Sequence, residues 1–379
     1  MSQRIPFNIP VLTGNENDYI VKALQSGKLA AKGEFTKKCT TYFRERWGFE
    51  RNLLTTSCTS ALELASIVSE IGPGDEVIVP SYTFVSTANA FVLRGAEIRF
   101  ADSLPNHPNI DVQHAISLIN EKTKAIIVVH YAGMAVDMDP LMEAAKKHDI
   151  IIIEDAAQAI TVSYKGRPLG GIGHFGALSF HETKNITCGE AGLFTVNDER
   201  FIRRAEIVHE LGTNRSAFLR GEVDRYTWVD VGSSFFPSDV LAAMLWAQLN
   251  ELENIQEKRI SLWNTYHEKL SKSDAVSRKL ALPEVPAFST NNAHTYYLVA
   301  NSEDERNDLI DYLSKHGVQA VFHYQALHNS PFYRTKNPAI SLPNAERYTK
   351  CLVRLPLYYD LNFQQTEYIA KLVISFCEG

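Results

Sequence analysis

From about residue 50 to residue 200, short β-rich apolar runs alternate with amphipathic stretches at helical spacing, and no other feature limits the possible fold so tightly. Glu76–Pro80, Ile98–Ala101, Ala125–His130, Ile150–Glu154 and Leu193–Val196 read as strands. Between them, Ser60–Ile71, Ser86–Arg94, Val112–Ile119 and Asp139–His148 repeat apolar residues at the helical period. Glycine-containing breaks, Gly72-Pro73-Gly74-Asp75 and later Gly166 with Gly170-Gly171-Ile172-Gly173, punctuate the units. Strands joined through helices run parallel, and a parallel sheet is covered on both faces. The pattern predicts an α/β fold with a mostly parallel sheet between helices.

Beyond Pro237 the character changes. One helical pattern runs from Ser238 to about Lys272, with Ser238 or Asp239 as its cap. Strand-like His294–Val299, helical Glu303–His316, strand-like Gln319–His323 and a final helix over Gln364–Phe376 follow. These predict a smaller C-terminal α+β domain. The division is a large domain over 1–250 and a small one over 251–379.

Composition narrows the partners. The 379 residues carry a net charge of −6 with no block of like charges, which argues against nucleic acid. An anionic substrate would need a local basic pocket, because the overall field does not attract it. No apolar run reaches the ~18 residues of a membrane span, and Met1 to Pro10 lacks a signal-peptide layout. The five scattered cysteines contain no C-x-x-C pair, which fits a reducing compartment and argues against a zinc site. The expectation is a cytoplasmic enzyme with no metal and no membrane partner.

Open α/β sheets bind ligands beyond the carboxyl ends of their strands, and three polar segments fall there. After strand-like Asn52–Thr55, the run Thr56-Ser57-Cys58-Thr59-Ser60 opens a helix with small and hydroxylated residues, suited to holding a phosphate. Four isoleucines, Ile150 to Ile153, end in Glu154-Asp155-Ala156-Ala157-Gln158. A buried aspartate there needs a cationic or hydrogen-bonded partner, which a protonated pyridine nitrogen would supply. Third comes Ser179-Phe180-His181-Glu182-Thr183-Lys184-Asn185. Singly, these read as an N-cap, a turn-capping acid and a solvated lysine. Together they stand in the order expected of a fold-type I pyridoxal-phosphate enzyme, whose chemistry needs a Schiff-base lysine and an acid for the ring nitrogen.

With these segments, and with Ser26-Gly27-Lys28, Gly74-Asp75-Glu76-Val77 and Pro80-Ser81-Tyr82-Thr83-Phe84, the chain resembles the DegT/DnrJ/EryC1/StrS family of sugar aminotransferases over nearly its whole length. Longer blocks are similar to the branch that makes dTDP-4-amino-4,6-dideoxygalactose for enterobacterial common antigen. They are Pro80–Gly95, His130-Tyr131-Ala132-Gly133, His181–Asn185, Gly212–Ser216 and Asp230–Ser234.

The resemblance implies a fold-type I pyridoxal-phosphate-dependent aminotransferase with glutamate as donor and dTDP-4-keto-6-deoxyglucose as acceptor. It implies that Lys184 carries the cofactor and shuttles the proton, and that Asp155 pairs with the ring nitrogen. Gln158 would approach the phenolic oxygen and Phe84 stack on the ring, with Cys58, Thr59, Ser60 and Ser179 around the phosphate. In many relatives Gly-x-Asn-x-Arg-Met reaches the phosphate in the neighbouring subunit. Here Gly232-Ser233-Ser234-Phe235-Phe236-Pro237 puts Ser234 in that place, which implies a homodimer with shared sites. The family's Gly-Glu-Gly-Gly is Gly189-Glu190-Ala191-Gly192 here, and the extra methyl matters only if Ala191 needs a positive φ.

Candidates for the acceptor are Arg215, Arg220 and Arg225 for the pyrophosphate, with Tyr226 and Trp228 beside them. His181, His323, Tyr324 and His328 are the candidates for the sugar. The sequence singles out no arginine for the donor's carboxylate. Lys184 argues against a sugar dehydratase, where a histidine stands in its place. Amination of another nucleotide keto sugar, at C3 or C4, and a non-catalytic ligand-sensing relative remain as alternatives.

Overall fold

The computed structural model describes residues 4–379. Two helices come first, α1 (Glu16–Gln25) and α2 (Glu34–Trp47). The alternating region follows as β1 (Asn52–Thr55), α3 (Cys58–Val68), β2 (Glu76–Pro80), α4 (Ser86–Val92), β3 (Glu97–Ala101), α5 (Val112–Ser117), β4 (Thr123–Val129), α6 (Met138–His148) and β5 (Ile151–Asp155). A short hairpin of β6 (Ser163–Tyr164) and β7 (Arg167–Pro168) leads to β8 (Phe175–Ser179) and β9 (Gly192–Val196). Each expected strand is present within two residues of its expected ends. Helix α3 begins two residues early because Ser57 is its cap, accepting from the Ser60 N–H.

Seven strands form one sheet in the order β1-β9-β8-β5-β4-β2-β3. Six run parallel, and β9 alone is antiparallel, to β1 and β8. The chain leaves β2 outward to β3 but then crosses back to β4 and β5, so β2 and β4 flank a topological switch point. Apolar side chains on the two sheet faces enter different cores: Ile152 packs with α2 residues such as Phe43, and Ile153 with α3 residues such as Leu64.

The remainder comprises α7 (Glu199–His209), α8 (Arg215–Leu219), α9 (Asp239–Asn250), α10 (Leu252–Ser271), α11 (Asp274–Lys279), β10 (Leu280–Ala281), β11 (Tyr296–Ala300), α12 (Glu303–Lys315), β12 (Val321–Phe322), α13 (Pro331–Arg334), α14 (Pro343–Cys351), β13 (Leu352–Leu355) and α15 (Phe363–Glu378). The single helix expected over Ser238–Lys272 is two helices. Ser238 caps α9, as expected, and the chain turns at Glu251 (φ −105, ψ 7). No proline or glycine marks that turn. Its cause is burial: α9 packs on α1 and α2, whereas α10 packs on α15 in a separate core that holds Leu262, Tyr266 and Leu270. Strands β10-β11-β13-β12 form the smaller sheet of that second unit. The N-terminal segment joins it too, since Ile5 bridges to Val318 and packs in the same core. No described helix is long and apolar enough to cross a membrane, and no described cluster of ligating side chains could hold a metal ion.

Candidate active site

The carboxyl ends of the central strands open into a cavity of about 550 Å³ beneath the smaller sheet. Val129 ends β4, Asp155 ends β5, Ser179 ends β8, and Thr83-Phe84 follow β2; all four segments line it. Parallel strands bring these ends together although they lie far apart in sequence.

Asp155 is buried at 6% exposure. Its Oδ2 accepts from the Thr87 hydroxyl at 2.8 Å and its Oδ1 from the Ala157 N–H at 3.2 Å. Burial raises its pKa, against the lowering effect of those bonds and of Lys184. Lys184 has no hydrogen-bond or ion-pair partner for its amine among the described residues. Burial lowers its pKa, opposed by the Cys58 thiol and Asp155. Burial thus displaces each group toward its own neutral form.

Glu154, the neighbouring acid, does different work. It is fully buried and lies 3.0 Å from His130 Nε2. It also accepts the N–H groups of Gly170, Ile172 and Gly173 at 2.9, 2.7 and 2.7 Å. This carboxylate ties the glycine-rich loop to the strand end, while Asn197 holds the loop's Gly170 and Gly173 carbonyls.

Gln158 Oε1 accepts from the Ala132 N–H at 2.7 Å, while its Nε2 donates to the Tyr324 hydroxyl at 3.1 Å. Ala132 (φ 58) and Tyr324 (φ 22) both hold left-handed backbone, a conformation that persists only where surroundings enforce it. Phe84, 55% exposed, faces Tyr324 with ring centroids 6.3 Å apart. At the other end stands the first turn of α3, where Cys58 and Thr59 N–H groups have no intrahelical acceptor. Thr59 donates to Ser86 at 2.8 Å, and the Ser60 hydroxyl lies 2.8 Å from Thr56 Oγ1. Thr59 and Cys58 line the cavity; Ser60 stands behind them. Gly192 makes this turn possible, because a Cβ there would fall 2.6 Å from the Cys58 nitrogen. Ala191, where glycine was the family pattern, has no positive φ, so its methyl is accommodated.

These residues fit a phosphorylated pyridine aldehyde. There is an open helix N-terminus for phosphate, a buried carboxylate lacking a cation, and an unpartnered amine between them.

His181, His323 and Tyr324 line the cavity. His323 Nδ1 is 3.0 Å from the Tyr131 hydroxyl, and burial holds its pKa well below the ordinary value. His328 does not reach the cavity. It is buried behind the wall, 2.6 Å from Ser81 Oγ and 3.2 Å from Glu346 Oε1, and serves as a structural link there. Arg215, Arg220, Arg225, Tyr226, Trp228 and Ser234 lie on the exposed 210–236 segment, outside this chain's own cavity. Arg220 is held by Glu206 at 2.7 Å and Glu222 at 2.6 Å.

Several lining residues escaped the sequence reading, Phe7, His294 and Arg354 among them. Phe7 comes from the N-terminal segment. His294 Nδ1 meets Asn185 Oδ1 at 2.9 Å. Arg354 sits in the otherwise apolar strand Leu352-Val353-Arg354-Leu355, and a charge inside such a strand is the signal that could have found it.

The family model for DegT/DnrJ/EryC1/StrS aminotransferases matches residues 10–374. Among solved structures, the aminotransferase TlmJ from Streptoalloteichus hindustanus is 28% identical, with a TM-score of 0.90 and 98% of each chain covered. DesV from S. venezuelae is 27% identical, with a TM-score of 0.89 and 100% of each chain covered. A candidate sugar aminotransferase from Streptococcus pneumoniae is 27% identical, with a TM-score of 0.90. It is known in a PLP-form, covering 99% of both chains, and in a PMP-form, covering 99% of this chain and 98% of that one. The chain belongs to the DegT/DnrJ/EryC1/StrS aminotransferase family.

Proposed function

We propose that this enzyme is a pyridoxal-phosphate-dependent sugar aminotransferase that moves an amino group from glutamate to C4 of dTDP-4-keto-6-deoxyglucose. The product is dTDP-4-amino-4,6-dideoxygalactose, for surface polysaccharide assembly. The observation that carries the aminotransferase reading is one arrangement: an unpartnered Lys184, a buried Asp155 without a cation, and the open α3 N-terminus share one cavity. The choice of sugar rests on the similarity of the longer sequence blocks.

In this reading the cofactor supplies, when bound, an electron sink that lets the donor's α-proton leave. Asp155 would be the acid that stabilises a protonated ring nitrogen, whose charge would offset the cost of burying the carboxylate. Cys58 and Thr59 N–H groups with the Thr59 and Ser179 hydroxyls hold the phosphate, and Ser60 fixes the turn that presents them. Phe84 would cover the ring and Gln158 would offer a hydrogen bond to the phenolic oxygen. Lys184 would hold the cofactor through its amine and, when that amine is free, would take up and return the donor's α-proton, its lowered pKa favouring the form that accepts. His181, His323 and Tyr324 line the sugar side.

The large domain is taken as 1–250 and the small one as 251–379, with residues 4–8 lent to the latter. The active unit is a homodimer in the cytoplasm, Ser234 of each protomer facing its partner's phosphate and Arg215, Arg220 and Tyr226 facing its partner's nucleotide. The test is incubation with glutamate and a panel of dTDP- and UDP-linked keto sugars, with products identified by NMR. Amination of the dTDP-4-keto sugar at C4 with galacto configuration is the expected result. Amination of another sugar or carbon overturns the substrate, and no amination of any overturns the reaction.

A further inference from the structure

Asn185, next in sequence to Lys184, is buried at 1% exposure with both ends of its side-chain amide engaged. Its Nδ2 donates to the Asn292 carbonyl at 2.8 Å and to Gln256 Oε1 at 2.9 Å. A backbone carbonyl can only accept, so the amide cannot turn over, and Asn185 Oδ1 is left facing His294 Nδ1 at 2.9 Å. That oxygen accepts, so Nδ1 carries the ring proton and Nε2 is a bare acceptor. The mount is rigid. The His294 N–H donates to Asn292 Oδ1 at 3.1 Å, and its carbonyl accepts from Arg259 at 2.8 Å. Asn292, itself buried, donates onward to the Gln158 and Ile160 carbonyls at 2.9 and 2.8 Å. The imidazole lines the cavity, and its Nε2 has no hydrogen-bond partner among the described residues. Lys184 does not take it up, since its own amine is unpartnered. Burial, with the charges of Lys184, Arg259 and Arg354, holds the His294 pKa well below its ordinary value, so the ring stays neutral. The crevice thus presents an uncharged acceptor of fixed direction beside the lysine segment.

We propose that His294 is a specificity-determining residue whose Nε2 accepts from the sugar hydroxyl next to the keto carbon, so that sugars lacking that hydroxyl are rejected. The inference rests on the sugar aminotransferase reading and deepens it. A bare imidazole nitrogen repels carboxylates and phosphates and takes a hydrogen bond from a hydroxyl. Glutamate brings two carboxylates and an amine that the reaction consumes, whereas the acceptor sugar brings hydroxyls. In a 4-keto-6-deoxy sugar, C4 lies between C5, which bears the methyl group and the ring oxygen, and C3, which bears a hydroxyl. C4 has to come within reach of Lys184 for proton transfer, and the C3 hydroxyl then comes up to the adjoining His294. An acceptor held this firmly cannot turn away when the hydroxyl is missing, and an unpaired polar group in a closed site is what makes such a site selective.

The test uses wild-type, His294→Phe and His294→Gln holoenzymes with dTDP-4-keto-6-deoxyglucose and its 3-deoxy counterpart. The sugar half-reaction, started from enzyme loaded with the amino group, gives kcat/KM for each. Calorimetry gives the binding of dTDP-6-deoxygalactose and its 3-deoxy counterpart, which have no keto group to aminate. Wild type is expected to prefer the 3-hydroxy member of each pair by about 30-fold, because the other leaves the acceptor unpaired. In His294→Phe that preference is expected to fall to about threefold or less, through weaker use of the 3-hydroxy sugar. His294→Gln, whose terminal carbonyl replaces Nε2, is expected to recover a preference of about tenfold. A wild type indifferent to the 3-hydroxyl overturns the proposal, even if neither variant folds. So does a His294→Phe protein that loses both sugars equally, the mark of packing alone, or one whose loss falls on the glutamate half-reaction. If wild type aminates a different nucleotide keto sugar, the same preference is expected between that sugar and its counterpart lacking a hydroxyl beside the keto carbon. Amination of no keto sugar overturns the sugar aminotransferase reading, while the calorimetric pair still decides whether His294 selects for the hydroxyl.

Discussion

Asp155 and Lys184 are each displaced toward the neutral form by burial, and the charge of each partly offsets the shift of the other. For Asp155 the sign of the effect on stability can be worked out. Its folded pKa is raised above 3.8, so ionisation costs the apoprotein stability above the folded pKa, and that cost vanishes as pH falls toward 3.8. Asp155→Asn is therefore expected to give an apoprotein at least as stable as wild type at pH 7, with the gap closing near pH 4. The same variant should lose most of its cofactor affinity. Thermal unfolding of both apoproteins across pH, beside cofactor titration, checks the pair. A less stable Asp155→Asn apoprotein at pH 7 would contradict the assignment of burial as the leading cause.

Among elements, the glycine-rich loop gives three of its N–H groups to one side chain of β5, Glu154. Glu154→Gln leaves a donor where the carboxylate received backbone N–H groups and His130, and is expected to cost about 3 kcal/mol of stability. Denaturant unfolding measures it, and a loss under about 1 kcal/mol would mean the loop is held by other contacts. The strands and helices around this site were legible because each strand is a compact apolar run whose polar terminus marks the ligand side. The break at Glu251 was not legible, since two cores, not a local signal, impose it. Arg354 and His294 were missed for a related reason. Their place depends on which face of a short, distant sheet meets the crevice, and nothing near them in sequence records that. His328 was misplaced because a histidine a few residues beyond His323, past the end of β12, can as well lie behind the wall as in it.

At the scale of the whole molecule, the 210–236 segment exposes Leu219, Tyr226, Trp228, Val229 and Val231, with Trp228 at 77%. Apolar exposure of this kind marks a candidate interface, and in the proposed homodimer this segment would lie over the partner's cavity. Ser234→Ala is then expected to leave folding and molar mass unchanged while lowering cofactor affinity about fivefold, the worth of one hydrogen bond. Unchanged affinity would remove Ser234 from the neighbouring site. The central claim, that Lys184 carries the cofactor, has a direct measurement: borohydride reduction of the intact holoenzyme followed by peptide mapping. The phosphopyridoxyl label is predicted on Lys184, in the peptide containing Ser179–Asn185. A label on any other lysine, or none on a protein saturated with cofactor, would contradict it.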